Sequence, residues 1–527
     1  MRKAFASIRR RPFSTLLSVV AIALAAYVVG FPFTQSSFAP MTDLPFHAAQ
    51  TSIFRHYFDP SFHLREQFEL HPLAVPYVSS YVLGAIFMLV APVFVAVKLA
   101  AFVMLSLLPI GLATMFHGMK KSPLLGLAGL PFVWVNLTHW GFLNFVGAIG
   151  LFAASIGVTL LVLDKPTRGR KLLLCGLLVL LFFTHIFRFP FAILGVLGTA
   201  LVMYPATKRF SPILAPLLPP ILLFLVWLWV RPAAIGGALD LSHIDWQRKS
   251  QLVPLLTEGG FYEPTEEKSI LTSYRVLGAV ALFSMLAYVA EARWSGQSRR
   301  SLAWGFGVTL VGLGCAGAFL LLFFMLPMQS GIWWYIYPRE AVAAAFIALS
   351  VLPDLPKTFL LRPPLVLALA LGPIGLTRSL GASYRAFDKT TEDFRAILPS
   401  IPRAPKLMYL VFDHSGSTKK NTPFIHLPAY VQAVKGGWLS FHFAGFGASP
   451  VAYRPKTEPG AVVPPPFPLR WEWTPQAFRV NEHGRFYDWF LVRSRTSPAW
   501  AFQADSSIVP VDHQGTWWLY RRSEKSR

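Results

Sequence analysis

The stretch MTDLPFHAA, residues 41–49, sets an acid and a histidine, Asp43 and His47, immediately beyond the first long apolar segment of the chain. Titratable groups at a membrane surface are costly and usually functional, and these two open a loop rich in His, Glu and aromatic residues. That loop is the candidate active site. Asp43 and His47 share a face of any helix that begins there, so with Glu66 or Glu69 they would present ligands to a divalent cation. The competing readings are structural: Thr42 and Asp43 are both good N-cap residues, and His47 suits an interfacial hydrogen bond.

Composition says what must hold such residues. Of 527 residues, 54% are hydrophobic and 14% charged, and the mean hydropathy is +0.49, which is far too apolar for a soluble protein of this length. The chain reads as a polytopic α-helical membrane protein. A net charge of +23 would suit a nucleic-acid partner if it were clustered on one domain, but the basic residues are scattered between apolar runs, so no nucleic acid is expected. The two cysteines, Cys175 and Cys315, each lie in an apolar run and supply neither a disulfide framework nor a thiolate metal site.

Apolar runs lie near 14–33, 93–116, 122–138, 141–163, 171–187, 189–205, 211–231, 271–292, 301–327, 338–353 and 361–379, with one more, 73–91, ambiguous. The positive-inside rule decides it. Arg2, Lys3, Arg9, Arg10 and Arg11 hold the N-terminus inside. If 73–91 does not cross, the basic connections 117–121, 164–171, 207–210, 291–300 and the segment with Lys357 and Arg362 all fall inside as well; if it crosses, all move outside. The expectation is therefore about eleven spans over residues 1–379, N-terminus in and C-terminus out, with a first outer loop at 34–92 and another at 232–270. The run after His71, with Pro72 and Pro76, is expected to lie at or dip into the outer surface.

This orientation gathers the unusual polar residues on one side. The first outer loop contributes Asp43, His47, Glu66, Glu69 and His71; the hairpin THWGFLNF adds His139 and Asn144; FTHIFRFP adds His185 and Arg188; and GIWWYIYPRE adds Arg339 and Glu340. Each has an ordinary reading too. His139 and His185 sit where satisfied interfacial histidines are common, Arg188 and Arg339 suit snorkelling to headgroups, and Trp333, Trp334, Tyr335 and Tyr337 suit an aromatic belt. Asn136 begins an N-x-T triplet in or beside a span. From 380 to 527 the composition is that of a soluble domain, mixed α/β and extracytoplasmic, with strands expected at 406–413, 488–493 and 516–522. The proline-rich piece 460–470 reads as a loop within it, and neither half of the membrane region repeats the other, against the habit of many secondary transporters.

An Asp just after the first span, further acids in the first outer loop, the His71–Pro72 step into a surface helix, Trp140–Phe145 opening a span, and Tyr335 or Tyr337 with Pro338 and Arg339 entering a late one together resemble the GT-C superfamily. These are integral-membrane glycosyltransferases that use polyprenyl-phosphate-linked sugars, and many carry an outer domain after the helices. The resemblance spans the whole architecture through short motifs. Many members have an acidic pair where this chain has Asp43 followed by Leu44, so the second acid would come from Glu66 or Glu69.

The resemblance implies sugar transfer to an envelope glycan, lipid or protein on the outer face of a bacterial-type inner (plasma) membrane. Such chemistry needs a base near the nucleophile, positive charge or a metal near the departing phosphate, and an apolar groove for the lipid. Asp43 is the candidate base, with Glu66 and Glu69 as further acids. Arg339 and Arg188 are the leading candidates to meet the phosphate, because a guanidinium matches phosphate oxygens with a fork of donors. His47, His71, His139, Asn144 and His185 complete the expected substrate-binding set. The rival readings are a transporter or lipid flippase, and a catalytically inactive GT-C-like scaffold that presents the C-terminal domain.

Overall fold

The computed structural model describes residues 12–232, 243–292, 299–331, 333–358, 360–418, 420–447 and 449–523. The basic N-terminal residues, 233–242 of the expected second outer loop and 293–298 of the basic connection 291–300 lie outside the described residues. Among the described residues eight helices are long and apolar enough to cross a bilayer: Ser14–Thr34, Val93–Gly118, Leu143–Asp164, Ile186–Thr207, Ser211–Val230, Pro264–Val289, Ser301–Met325 and Arg362–Thr390. The protein is a multi-pass membrane protein.

Three other expected spans form shorter helices. Residues 122–138 hold a ten-residue 3-10 helix, Pro123–Phe132, where two prolines and two glycines deny the α-helix its backbone bonds and its rigidity. Arg168–Thr184 has 17 residues and Ile336–Ala348 has 13; at about 1.5 Å per residue neither covers the full apolar thickness of a bilayer unaided. The ambiguous stretch 73–91 contains only the nine-residue helix Ser79–Phe87, too short to cross, as charge placement required.

Leu143–Asp164 is the central helix, buried along nearly its whole length. Lipid tails are as apolar as leucine, so helices here gain little from hydrophobic burial and associate through close backbone packing. A Cβ at Gly111 would meet the Gly150 carbonyl oxygen at 2.0 Å, and one at Gly150 would meet that of Leu107 at 2.1 Å. Glycine lets Val93–Gly118 and Leu143–Asp164 touch backbone to backbone.

Helix Leu371–Thr390 carries the chain unbroken through residue 380 into the C-terminal domain. There a five-stranded sheet runs in the order Trp438–Leu439, Lys406–Val411, Trp489–Arg493, Trp517–Arg522, Ile508–Gln514. The first three strands are parallel and the last two antiparallel to their neighbours. The three expected strands are present. Ile508–Gln514 escaped the sequence reading because it is an edge strand with exposed Val509 and Val511 and a proline between them, so it lacks an inward apolar alternation.

The long connection after the first membrane helix is stitched to this domain. Phe68–Leu70 pairs antiparallel with Val451–Tyr453, and Gln50 Nε2 donates to Ser449 Oγ at 2.8 Å. Helix Leu44–His56 is thereby held between the membrane helices and the C-terminal domain, with Phe46 packed on the rings of His426 and Phe443. The account of the helix crossing predicts that Gly150→Val destabilises the folded protein by about 3 kcal/mol or more, while Gly176→Val, at a site with nothing within 4 Å, leaves it unchanged. Unfolding in detergent reads the difference; equal stabilities would contradict the packing.

Candidate active site

A cavity of about 890 Å³ lies where the outer loop, the membrane helices and the C-terminal domain meet. Its walls come from Thr42, Asp43, His47 and Gln50, Tyr77 and Tyr81, the hairpin Trp140–Phe145, His185, Gln329, Gly331, Trp333, Trp334 and Arg339, and, from the C-terminal domain, His426, Phe441, Phe443, Phe446, Ser449, Pro450, Glu472 and Trp473. Most of this surface is aromatic. Of the residues expected from sequence, Asp43, His47, Asn144, His185 and Arg339 line it together.

Asp43 occupies the N-cap position of Leu44–His56, yet its side chain makes no capping bond. It turns to the C-terminal domain instead, where His426 Nδ1 donates to Asp43 Oδ1 at 3.1 Å. The Thr42 carbonyl lies 3.1 Å from the same nitrogen, and His426 Nε2 donates to Glu472. Carboxylates and a carbonyl only accept, so both ring nitrogens carry protons and His426 is an imidazolium. Burial alone would push its pKa down, but the charge and hydrogen bonds of Glu472 and Asp43 outweigh that and raise it to about 10. Asp43 is seated by the hairpin: its N–H donates to the Trp140 carbonyl at 3.2 Å, and a Cβ at Gly141, where φ is +99°, would lie 2.7 Å from the Asp43 Cβ.

His47 has both nitrogens engaged. Nε2 lies 2.8 Å from the Gly141 carbonyl, which can only accept, so the proton sits on Nε2; Nδ1 then accepts from the Tyr81 hydroxyl at 3.0 Å. Burial lowers the His47 pKa, which keeps the ring neutral. A neutral, doubly bonded imidazole offers no free nitrogen, and Asp43 already faces a cation, so the Asp43–His47 pair does not fit a divalent ion. Among the described residues no group of three or more His, Cys, Asp or Glu is placed to hold one.

The two candidate arginines separate sharply. Arg188 forms a buried fork-to-fork pair with Glu340, with both N–O distances 2.6 Å, and stands outside the cavity wall. Arg339 stands over the Phe142 ring at 3.9 Å and donates to the Trp334 carbonyl at 2.8 Å; among the described residues no carboxylate pairs with it. Its Nε is buried without a partner, as are Tyr77 Oη, Asn144 Oδ1, His185 Nδ1 and Trp333 Nε1, all on residues lining this cavity. Buried polar groups are normally satisfied, so their convergence around one unpaired guanidinium marks a place for a polar, anionic ligand.

The remaining expected residues are not brought to the cavity. Glu66 binds His63 at 2.5 Å and Glu69 binds His71 at 3.0 Å, both near the surface beside the seam with the outer domain. His139 is buried behind the hairpin against Phe261 and Trp134, and Arg188 is neutralised by Glu340. Sequence reasoning missed His426 and Glu472. Their signal is faint: a histidine in the apolar run FIHL and an acid between two tryptophans in WEW.

No protein-family model matches the chain, and no curated protein matches its sequence. Among solved structures, ArnT from Cupriavidus metallidurans, a crystal structure bound to undecaprenyl phosphate, superposes over 98% of this chain and 99% of its own, with a TM-score of 0.55 at 11% identity. The chain shares its fold with ArnT over nearly its whole length. The mycobacterial arabinofuranosyltransferase AftD aligns over 96% of this chain and 40% of its own, with a TM-score of 0.49 at 12% identity. The end-to-end match with ArnT takes in both the membrane helices and the C-terminal domain, the two parts between which the cavity lies.

Because the folded state raises the pKa of His426, its charge stabilises the fold fully below the ordinary histidine value of 6.5, and that contribution is lost as the pH rises through about 10. The stability gap between the protein and His426→Leu should therefore be wide at pH 6 and narrow steadily towards pH 10 in thermal unfolding. A gap that widens with pH would show that the ring is neutral.

Proposed function

We propose that this protein is a membrane glycosyltransferase that moves a sugar from a polyprenyl-phosphate carrier to an acceptor at the outer face of a bacterial-type inner membrane. The observation that carries the reading is the presence, in one aromatic cavity, of a carboxylate, Asp43, and a guanidinium, Arg339, that pairs with no carboxylate among the described residues. ArnT, which shares the fold from end to end, was solved with undecaprenyl phosphate bound, and this supports a carrier of that class here. The acceptor would be an envelope glycan, lipid or protein.

The chemistry follows from the residues. An acceptor hydroxyl oxygen forms a bond to the anomeric carbon while the bond from that carbon to the phosphate oxygen breaks. The electron pair leaves with the polyprenyl phosphate, which gains a negative charge, and the hydroxyl proton passes to Asp43. Arg339 meets the charge as it develops, in a wall where aromatic rings displace water and strengthen the attraction. Asn144, His185 and Tyr77 have buried polar atoms free to bind sugar or phosphate oxygens. The open cavity argues against a scaffold with a packed apolar plug, and no step is routed through a metal ion.

Asp43→Asn should lower sugar transfer from a polyprenyl-phosphate donor by about 10²-fold or more in purified protein. Arg339→Gln should cost about as much, by losing one charge-assisted phosphate contact, and EDTA should leave the rate unaltered. Arg188→Gln should act on folding instead, because stranding the buried Glu340 costs about 3–5 kcal/mol. Full activity of Asp43→Asn would overturn the role of Asp43, and activity lost in EDTA but restored by Mg²⁺ or Mn²⁺ would show that a cation takes part.

A further inference from the structure

We propose that the C-terminal domain supplies a positioning pair to the reaction: Glu472 holds the His426 ring, and His426 in turn fixes the Asp43 carboxylate that receives the proton. The inference rests on the reading of Asp43 as the base and adds to it two residues from the soluble domain.

The geometry leaves His426 little freedom. Its side chain is 9% exposed and that of Glu472 3%, whereas that of Asp43 keeps 19% and opens on the cavity. The ring is wedged against Phe46, Phe441 and Phe443, so it cannot swing away from the carboxylate it serves. Its Nδ1 engages Asp43 Oδ1, which leaves Oδ2 without a partner among the described residues. A carboxylate anchored by one oxygen has a fixed lone pair direction on the other, which is what a base poised for a bound hydroxyl requires.

The charges around the pair define what it does. His426 faces Asp43 and Glu472 directly, with His47 and His414 in electrostatic range; Asp43 also feels Arg339 and Tyr81. His47 is held neutral by burial, and His414 is likewise lowered, with burial the leading cause. The cation in direct contact with Asp43 is therefore His426, and that contact sets the direction of the carboxylate. Glu472 pairs with that cation, so the three groups Asp43, His426 and Glu472 carry one net negative charge, which leaves Arg339 as the cation for the phosphate.

The test needs a readout that packing alone does not move. Carbodiimide reacts with protonated carboxyl groups, so mass spectrometry of Asp43 labelling against pH, on the full-length protein, reports when Asp43 takes up its proton. In His426→Gln the midpoint should move upward by about one pH unit or more, since an opposite charge at this range shifts a carboxyl by 1–3 units, and the acid limb of sugar transfer should move with it. In Glu472→Gln the ring should lose its proton at lower pH, bringing the alkaline fall in rate towards neutrality. Unmoved midpoints in both variants, with folded protein, would overturn the inference. A labelling shift in a protein that transfers no sugar at any pH would instead keep the positioning pair and sink the glycosyltransferase reading.

Discussion

A buried imidazolium between two carboxylates ties this molecule together. His426 belongs to the soluble domain and Asp43 to the loop after the first membrane helix, and the bond between them sits at the floor of the cavity. Such a cluster is not a gain in stability as such, because taking three charges out of water costs several kcal/mol per ion before their attraction is counted. Its effect is specificity. Removing one member strands the others, so the docking of the outer domain, the seat of helix Leu44–His56 and the aim of Asp43 are held by one arrangement. The strand pair Phe68–Leu70 with Val451–Tyr453 supports the same interface with backbone bonds that carry no charge.

Against that fixed base, the rest of the cavity is built from groups left unsatisfied. Arg188 and Arg339 are close in chemistry but differ in what they face. The first is spent on Glu340 and braces the helices; the second has its Nε without a partner and rings on one side. The five unpartnered polar atoms at that end of the cavity are costly while it holds no ligand, and a phosphate with its sugar offers oxygens to satisfy them. The free energy of that satisfaction is what an enzyme of this kind would use to hold a donor whose lipid tail binds with little directional preference.

The parts of this arrangement legible in the sequence are those that break a local pattern. Asp43 stood out because an acid beside a long apolar run is costly, and Lys406–Val411, Trp489–Arg493 and Trp517–Arg522 because β-branched and aromatic residues between turn formers read as strands. What stayed hidden is set by geometry over long range. Glu340 follows Arg339 directly in the chain, yet neighbours on a helix do not face each other, and its partner proved to be Arg188. The apolar stretch 122–138 concealed a 3-10 segment because hydropathy does not weigh the backbone demands of Pro and Gly. His426 and Glu472 have no spacing relation to Asp43, and no composition rule would have joined them to it.

The account stands or falls on where the carrier's phosphate sits. A cryo-EM structure of the full-length protein with a polyprenyl phosphate tests it most directly. The phosphate should lie within hydrogen-bond reach of the Arg339 guanidinium, in the same cavity as Asp43, with the Arg188–Glu340 pair intact. A lipid phosphate bound elsewhere, with Arg339 still facing an empty cavity, would contradict the assignment of this cavity as the donor site.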